Sequence, residues 1–133
     1  MKANFQKLDS TRTFRLTYSN DPDVPVYTTF GVLDFDIDGF HFHLFVYQNS
    51  AWKDLPHYNH ILFLPFKDWT NGNESYGGGR FLDIRFYDDE DFVIIDFNKS
   101  YNPPCAYNYY MACPLIQESN HLECEIPVGI KTY

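Results

Sequence analysis

Residues 31–46 constrain this chain more than any other stretch. Leu33, Phe35 and Ile37 alternate with Val32, Asp34 and Asp36 up to the pair Asp38-Gly39. Phe40, Phe42, Leu44 and Val46 then alternate with His41, His43 and Phe45. Period-two alternation is the pattern of a half-buried strand, and Asp-Gly is a favoured centre for a two-residue type I′ turn. A turn at Asp38-Gly39 pairs Ile37 with Phe40, Phe35 with Phe42 and Leu33 with Leu44. All six are apolar, so turn and burial agree on one register. The opposite face then sets Asp36 against His41 and Asp34 against His43.

A second hairpin is expected at 80–98, with a strand from Arg80 to Phe86, an acidic turn from Tyr87 to Asp91 and a return strand from Phe92 to Asn98. Opposing Phe86 to Phe92 brings Ile84 to Ile94, Leu82 to Asp96 and Arg80 to Asn98. Further strands are expected at 12–18, 25–30, 61–66 and 122–130. Ile61 to Phe66 is apolar on both faces, as a central strand is. Long loops fall at 48–60, 67–79 and 99–121, with short helical turns expected in the first and last. Phe, Tyr and Trp make up 20% of the chain, which suits pleated, half-buried surfaces. The fold expected is therefore mainly β: one antiparallel barrel or sandwich with long loops and at most short helical turns, a single domain over 1–133 whose first ten residues are loosely attached. At 133 residues the chain needs neither disulfide nor metal to fold.

The formal net charge of −8 sets the field against phosphate backbones and anionic membranes, so neither nucleic acid nor a membrane is an expected partner. Residues 1–6 show no apolar core of a signal peptide, and three cysteines (Cys105, Cys113 and Cys124) make a poor disulfide framework. A cytoplasmic setting is expected. The oligomeric state is not encoded.

Several patterns resemble metal sites. Asp34 to Gly39 opens like an EF-hand loop, but the twelfth position is Phe45 where a bidentate Glu is required, so calcium is rejected. His41 and His43 have a spacing that zinc sites sometimes use, yet their cross-strand carboxylates explain them as surface pairs. Cys105, Cys113 and His121 are too widely spaced for the usual ligand pairs and read as inert. No cofactor is indicated.

The most unusual segment is Asn71-Gly72-Asn73-Glu74-Ser75-Tyr76-Gly77-Gly78-Gly79-Arg80. Gly77, Gly78 and Gly79 free the backbone to form an anion-binding nest, and Arg80 adds a planar donor fork. The alternative is a tight loop in which Arg80 pairs with Asp96. Asn98 to Tyr107 carries two prolines, so it is neither strand nor helix interior, and Asn98, Tyr101, Asn102 and Cys105 line a pocket or cover one end of the core. Asp68 and Glu74 flank the 67–79 loop and are the acids available for catalysis, although no nucleophile–base pair is recognisable.

The segments Leu62 to Asp68, Thr70 to Asp83, Asp96 to Tyr107 and Cys113-Pro114 together resemble a bacterial and archaeal family, the domain of unknown function 1684, from about residue 10 to the C-terminus. The resemblance marks Asp68, Glu74, Tyr76, Arg80, Asp96, Asn98, Tyr101, Asn102 and Cys105 as family-defining, without implying an activity. The leading expectation is a binding module. Arg80, Asn98, Tyr101, Asn102 and the Gly77–Gly79 backbone would surround a small polar or anionic ligand. The alternatives are a hydrolase using Asp68 or Glu74 and a structural or protein-interaction module.

Overall fold

The computed structural model describes residues 1–9, 13–14, 26–71, 79–103, 116 and 118–129. Seven strands are present: β1 (Lys2–Lys7), β2 (Thr13–Phe14), β3 (Tyr27–Ile37), β4 (Phe40–Asn49), β5 (Ile61–Phe66), β6 (Arg80–Arg85) and β7 (Phe92–Ile94). Short 3-10 helices follow at Phe97–Lys99 and Glu118–Asn120. The chain is mainly β, as its alternation requires. The strands form one antiparallel sheet in the order β6-β5-β4-β3-β1-β7, with β2 on β3. The sheet curls into a half-barrel, so that its two end strands, β6 and β7, face one another across a groove without forming a ladder. No helix among the described residues is long and apolar enough to cross a membrane.

The β3–β4 hairpin has the register that the Asp38-Gly39 turn dictates. Ile37 opposes Phe40, Asp36 opposes His41, and Asp34 opposes His43. Asp38 and Gly39 both have positive φ, 51° and 83°, as a type I′ turn demands. Leu33, Phe35, Leu44 and Val46 are buried on the inner face. The expected strands at 25–30 and 31–37 are one strand, interrupted where the register shifts between Thr29 and Gly31. Such a bulge bends its strand locally, and the β1 pairing begins at Gly31, just past it. A Cβ on Gly31 would stand 2.8 Å from the Gln6 carbonyl oxygen and 2.5 Å from the Phe5 ring.

Residues 2–7 are not loosely attached. β1 pairs with β3 on one side and β7 on the other, and Ala3 is fully buried. This corrects the expectation for the N-terminal segment. A six-residue run that turns only Ala3 and the half-buried Phe5 toward the core carries little hydrophobic signal. The expected hairpin at 80–98 is also corrected. β6 pairs with β5 and β7 pairs with β1, so Tyr87 to Asp91 crosses from one edge of the sheet to the other. The inward face of the return segment is Val93 and Ile95, while Ile94 is exposed. That is a one-residue flip of the expected face. The strand expected at 122–130 does not form over 122–129. Of the strand expected at 12–18, only β2 lies among the described residues.

β5 is the buried interior strand its composition implies, with Leu62, Leu64 and Phe66 in the core. Its ladder with β4 is limited to Tyr47 opposite Phe63. Beyond that point the Asn120 side chain stands in for backbone. Its Oδ1 accepts from Phe45 N at 2.8 Å, and its Nδ2 donates to the carbonyls of Phe45 at 2.9 Å and Pro65 at 2.7 Å. A fully buried amide thereby satisfies strand groups that would otherwise lack partners. Lys67 N also donates to Asn120 O, and Leu122 N donates to Lys67 O, which ties 120–122 to the end of β5.

Candidate functional site

Arg80 opens β6 on its inner face, opposite Phe66, with Asp68 just past the end of β5. The Arg80 side chain is 1% exposed and the Asp68 side chain is 0% exposed. One guanidinium nitrogen donates to Asp68 Oδ2 at 3.1 Å and to the Ile126 carbonyl at 2.9 Å, and the other donates to the Val128 carbonyl. The Phe66 ring lies beneath the guanidinium, 5.1 Å from its centroid. Asp68 Oδ2 also accepts from Ile126 N at 2.6 Å, and Oδ1 accepts from the Thr70 hydroxyl at 2.7 Å. Burial pushes the Arg80 guanidinium below its ordinary value, and the Asp68 charge opposes that shift.

This arrangement fixes residues 126–128 onto the ends of β5 and β6. Arg80 does not pair with Asp96. Asp96 caps the 3-10 helix instead, accepting from Asn98 N at 3.0 Å. Asp68, one of the two acids named for catalysis, is a buried partner of Arg80. Gly79 has φ +101°, and a Cβ there would meet the Ile116 side chain at 2.2 Å and the Phe66 carbonyl oxygen at 2.9 Å. Its missing side chain makes room for the protein's own packing.

The remaining expected residues scatter. Asn98 is exposed, Asn102 is buried and Tyr101 is 38% exposed. Gly77, Gly78, Glu74, Tyr76 and Cys105 lie outside the described residues. So does Cys113, and the half-buried Cys124 is a free thiol.

Tyr101 belongs to a cleft on the other side of the sheet. Its backbone bridges Phe81 on the free edge of β6, with N–H···O bonds of 2.8 and 2.9 Å. Along β6, Phe81 and Asp83 point away from the core face of Arg80, Leu82 and Ile84. Along β5, Ile61 and Phe63 do the same. The result is a continuous row of rings on the outer face. Tyr27 stacks on Phe63 at 5.0 Å, Phe63 meets Phe81 edge-on at 4.6 Å, and Phe81 meets Tyr101 edge-on at 5.7 Å. The Tyr101 hydroxyl donates to Asp83 Oδ1 at 2.9 Å.

With Asn49 and Trp52 from the end of β4 and the following turn, these residues enclose about 270 Å³. Burial and then the Asp83 charge push the Tyr101 phenol far above its ordinary range, and the same two causes raise Tyr27. Both phenols stay protonated at neutral pH, and Tyr101 uses its proton to donate to Asp83. No Lys, Arg or His lines this cleft among the described residues. Of the residues lining this cleft, sequence reasoning singled out Tyr101, and placed it beside Arg80, but not Tyr27, Trp52, Phe63, Phe81 or Asp83. The available signal was Phe81 and Asp83 alternating with Arg80 and Leu82, which sets an aromatic and a carboxylate together on the face the core does not use.

A second cleft of about 340 Å³ lies between the end strands β6 and β7. Leu82, Ile84 and Val93 form its floor, and Arg85, Lys99, Glu90 and Asp96 are among its rim charges. Arg80 lines neither cleft.

A family model described as "Protein of unknown function (DUF1684)" matches residues 1–131. Among solved structures, the chain is similar to the solution NMR structure of an uncharacterized protein of Haloarcula marismortui. The two are 32% identical with a TM-score of 0.78, over 98% of this chain and 69% of the other. No curated protein matches significantly.

Proposed function

The chain belongs to the DUF1684 family of proteins of unknown function, and from that premise we propose that it is a small-molecule-binding β domain whose ligand is a small organic cation seated in the outer-face aromatic cleft. The observation that carries this reading is the Asp83 carboxylate, held by Tyr101, at the end of the ring row Tyr27–Phe63–Phe81–Tyr101. Ring faces attract cations through their quadrupole, by about 0.5–2 kcal/mol each. A neighbouring carboxylate adds a charge partner, and the net charge of −8 draws cations toward the surface. The volume of about 270 Å³ suits a small ligand. An anion would meet Asp83 without a compensating cation in the lining.

This reading keeps Tyr101 as a ligand residue and moves the site away from Arg80, whose donors serve Asp68 and the 126–128 carbonyls. It also gives Asp68 a structural role, because its buried carboxylate accepts from the Arg80 guanidinium, the Ile126 N–H and the Thr70 hydroxyl.

The test is calorimetric titration of the protein with tetramethylammonium, benzyltrimethylammonium and small primary amines. At least one is expected to bind saturably. Asp83→Asn is expected to weaken that binding by at least about tenfold, or roughly 1.4 kcal/mol. Absence of binding across the panel, or equal affinity in Asp83→Asn, would overturn the proposal.

A further inference from the structure

The type I′ turn at Asp38-Gly39 fixes more than a hydrophobic register. It aligns four polar side chains on the outer face of the β3–β4 hairpin: Asp34 and Asp36 on β3, His43 and His41 opposite them on β4. The β1 pairing with β3 ends at Asp34, and the β4 pairing with β5 lies back at Tyr47, so the hairpin end projects beyond its neighbours. His41 and His43 are open to solvent, with side chains 59% and 63% exposed. The two imidazoles converge on one carboxylate oxygen. Asp34 Oδ1 lies 3.3 Å from His41 Nε2 and 4.0 Å from His43 Nδ1. One ligand atom from each of the three residues falls within 4.8 Å of the others.

We propose that Asp34, His41 and His43 form a zinc site on the hairpin surface, with Asp36 orienting His41. Ligands bound about 2.0–2.2 Å from a tetrahedral zinc stand roughly 3.4 Å apart, so small side-chain rotations bring this set onto one ion. The ligand chemistry selects the metal. Two imidazoles and one carboxylate suit zinc and its borderline neighbours, whereas calcium and magnesium demand oxygen donors.

The second observation is the hydrogen bond of His41 Nδ1 with Asp36 Oδ1, at 2.9 Å. When Nδ1–H donates to that carboxylate, the lone pair on Nε2 faces Asp34 and the metal position. Metal-bound histidines are characteristically held in this way, with the non-ligating nitrogen donating to a carboxylate. When His41 is protonated the same contact is a surface ion pair, so a proton and a metal compete for Nε2. Three protein ligands leave the fourth position of zinc to water or to a donor from a partner.

The test uses tag-free protein, with Zn²⁺ titrated calorimetrically and Co²⁺ as a visible-absorption probe of coordination. One equivalent of metal is expected to bind saturably, with cobalt showing the strong ligand-field absorption of a low-symmetry nitrogen–oxygen site. His41→Ala and His43→Ala are each expected to lose at least about tenfold in affinity. Asp36→Asn is expected to lose about 10–100-fold, as such outer carboxylates do. These residues are exposed, so the variants should unfold at the wild-type temperature. A lack of saturable binding below about 0.1 mM Zn²⁺ would overturn the proposal. So would full binding in a folded His41→Ala/His43→Ala double variant, which would place the metal at other donors.

Discussion

Arg80 carries a charge to a place that water does not reach, and its surroundings explain how the fold tolerates it. Asp68 supplies the counter-charge, the carbonyls of Ile126 and Val128 occupy further donors, and Phe66 lies under the guanidinium plane. Breaking one side of such a pair leaves the other buried and uncompensated, which costs about 3–5 kcal/mol. Arg80→Met should therefore lower Tm by roughly 10 °C or more in a chain of this size. Cation affinity in the outer cleft should stay unchanged in whatever fraction remains folded. Thermal unfolding followed by circular dichroism, with titration of the folded variant, measures both. A variant as stable as wild type would mean that the pair contributes nothing net. Selective loss of ligand affinity would return Arg80 to a binding role. Sequence singled out Arg80 beside three glycines but named Asp96 as its partner, because the expected 80–98 hairpin set the two on one face. The ends of β5 and β6 brought together decide for Asp68 instead.

At the scale of elements, legibility follows the turns. The Asp38-Gly39 turn is two residues long and demands positive φ, so it fixes its register from within. The β3–β4 ladder from Leu33–Leu44 to the turn was readable from it, including the Asp–His pairs, whereas the register shift between Thr29 and Gly31 was not. Tyr87 to Asp91 is five residues without glycine and pins nothing. The alternation on either side was real, but the partners of β6 and β7 lie elsewhere in the chain, and the inner face of β7 differed by one residue. Segment 122–129 failed as a strand for a related reason. Its apolar residues Leu122 and Ile126 do reach the core, but its backbone groups are taken by Lys67, Arg80 and Asp68. The outer aromatic cleft was hidden because an apolar residue on either face of a strand reads as core.

The bulge in β3 supports a sharper expectation. Gly31 lets β1 approach so closely that a methyl group would press on the Gln6 carbonyl, which is ladder backbone and cannot step aside alone. Gly31→Ala should destabilise by about 1–3 kcal/mol, the usual range for overpacking. Amide exchange in β1 should rise more than in β5. Equal stability in the variant would show that β1 has room to shift.

Across the whole molecule, 11 tyrosines in an acidic chain give the fold an alkaline weakness. Burial pushes Tyr47 up to about 12 from an ordinary value of 10.0, and Tyr27 and Tyr101 are raised too. Above pH 10 the unfolded chain releases these phenolic protons while the native chain keeps them. The unfolded state then binds fewer protons, and stability falls as pH rises. The Tyr47 contribution is complete below about pH 10 and is lost progressively toward about pH 12. Below that window these phenols are protonated in both states and add no slope. Urea midpoints measured from pH 8 to pH 12 should therefore hold steady at first and then decline. Tyr47→Phe should make the decline shallower, because it removes one proton that the folded core retains. A decline of equal slope in Tyr47→Phe would assign the alkaline loss to other groups and would mean that the Tyr47 hydroxyl reaches water more readily than its burial implies.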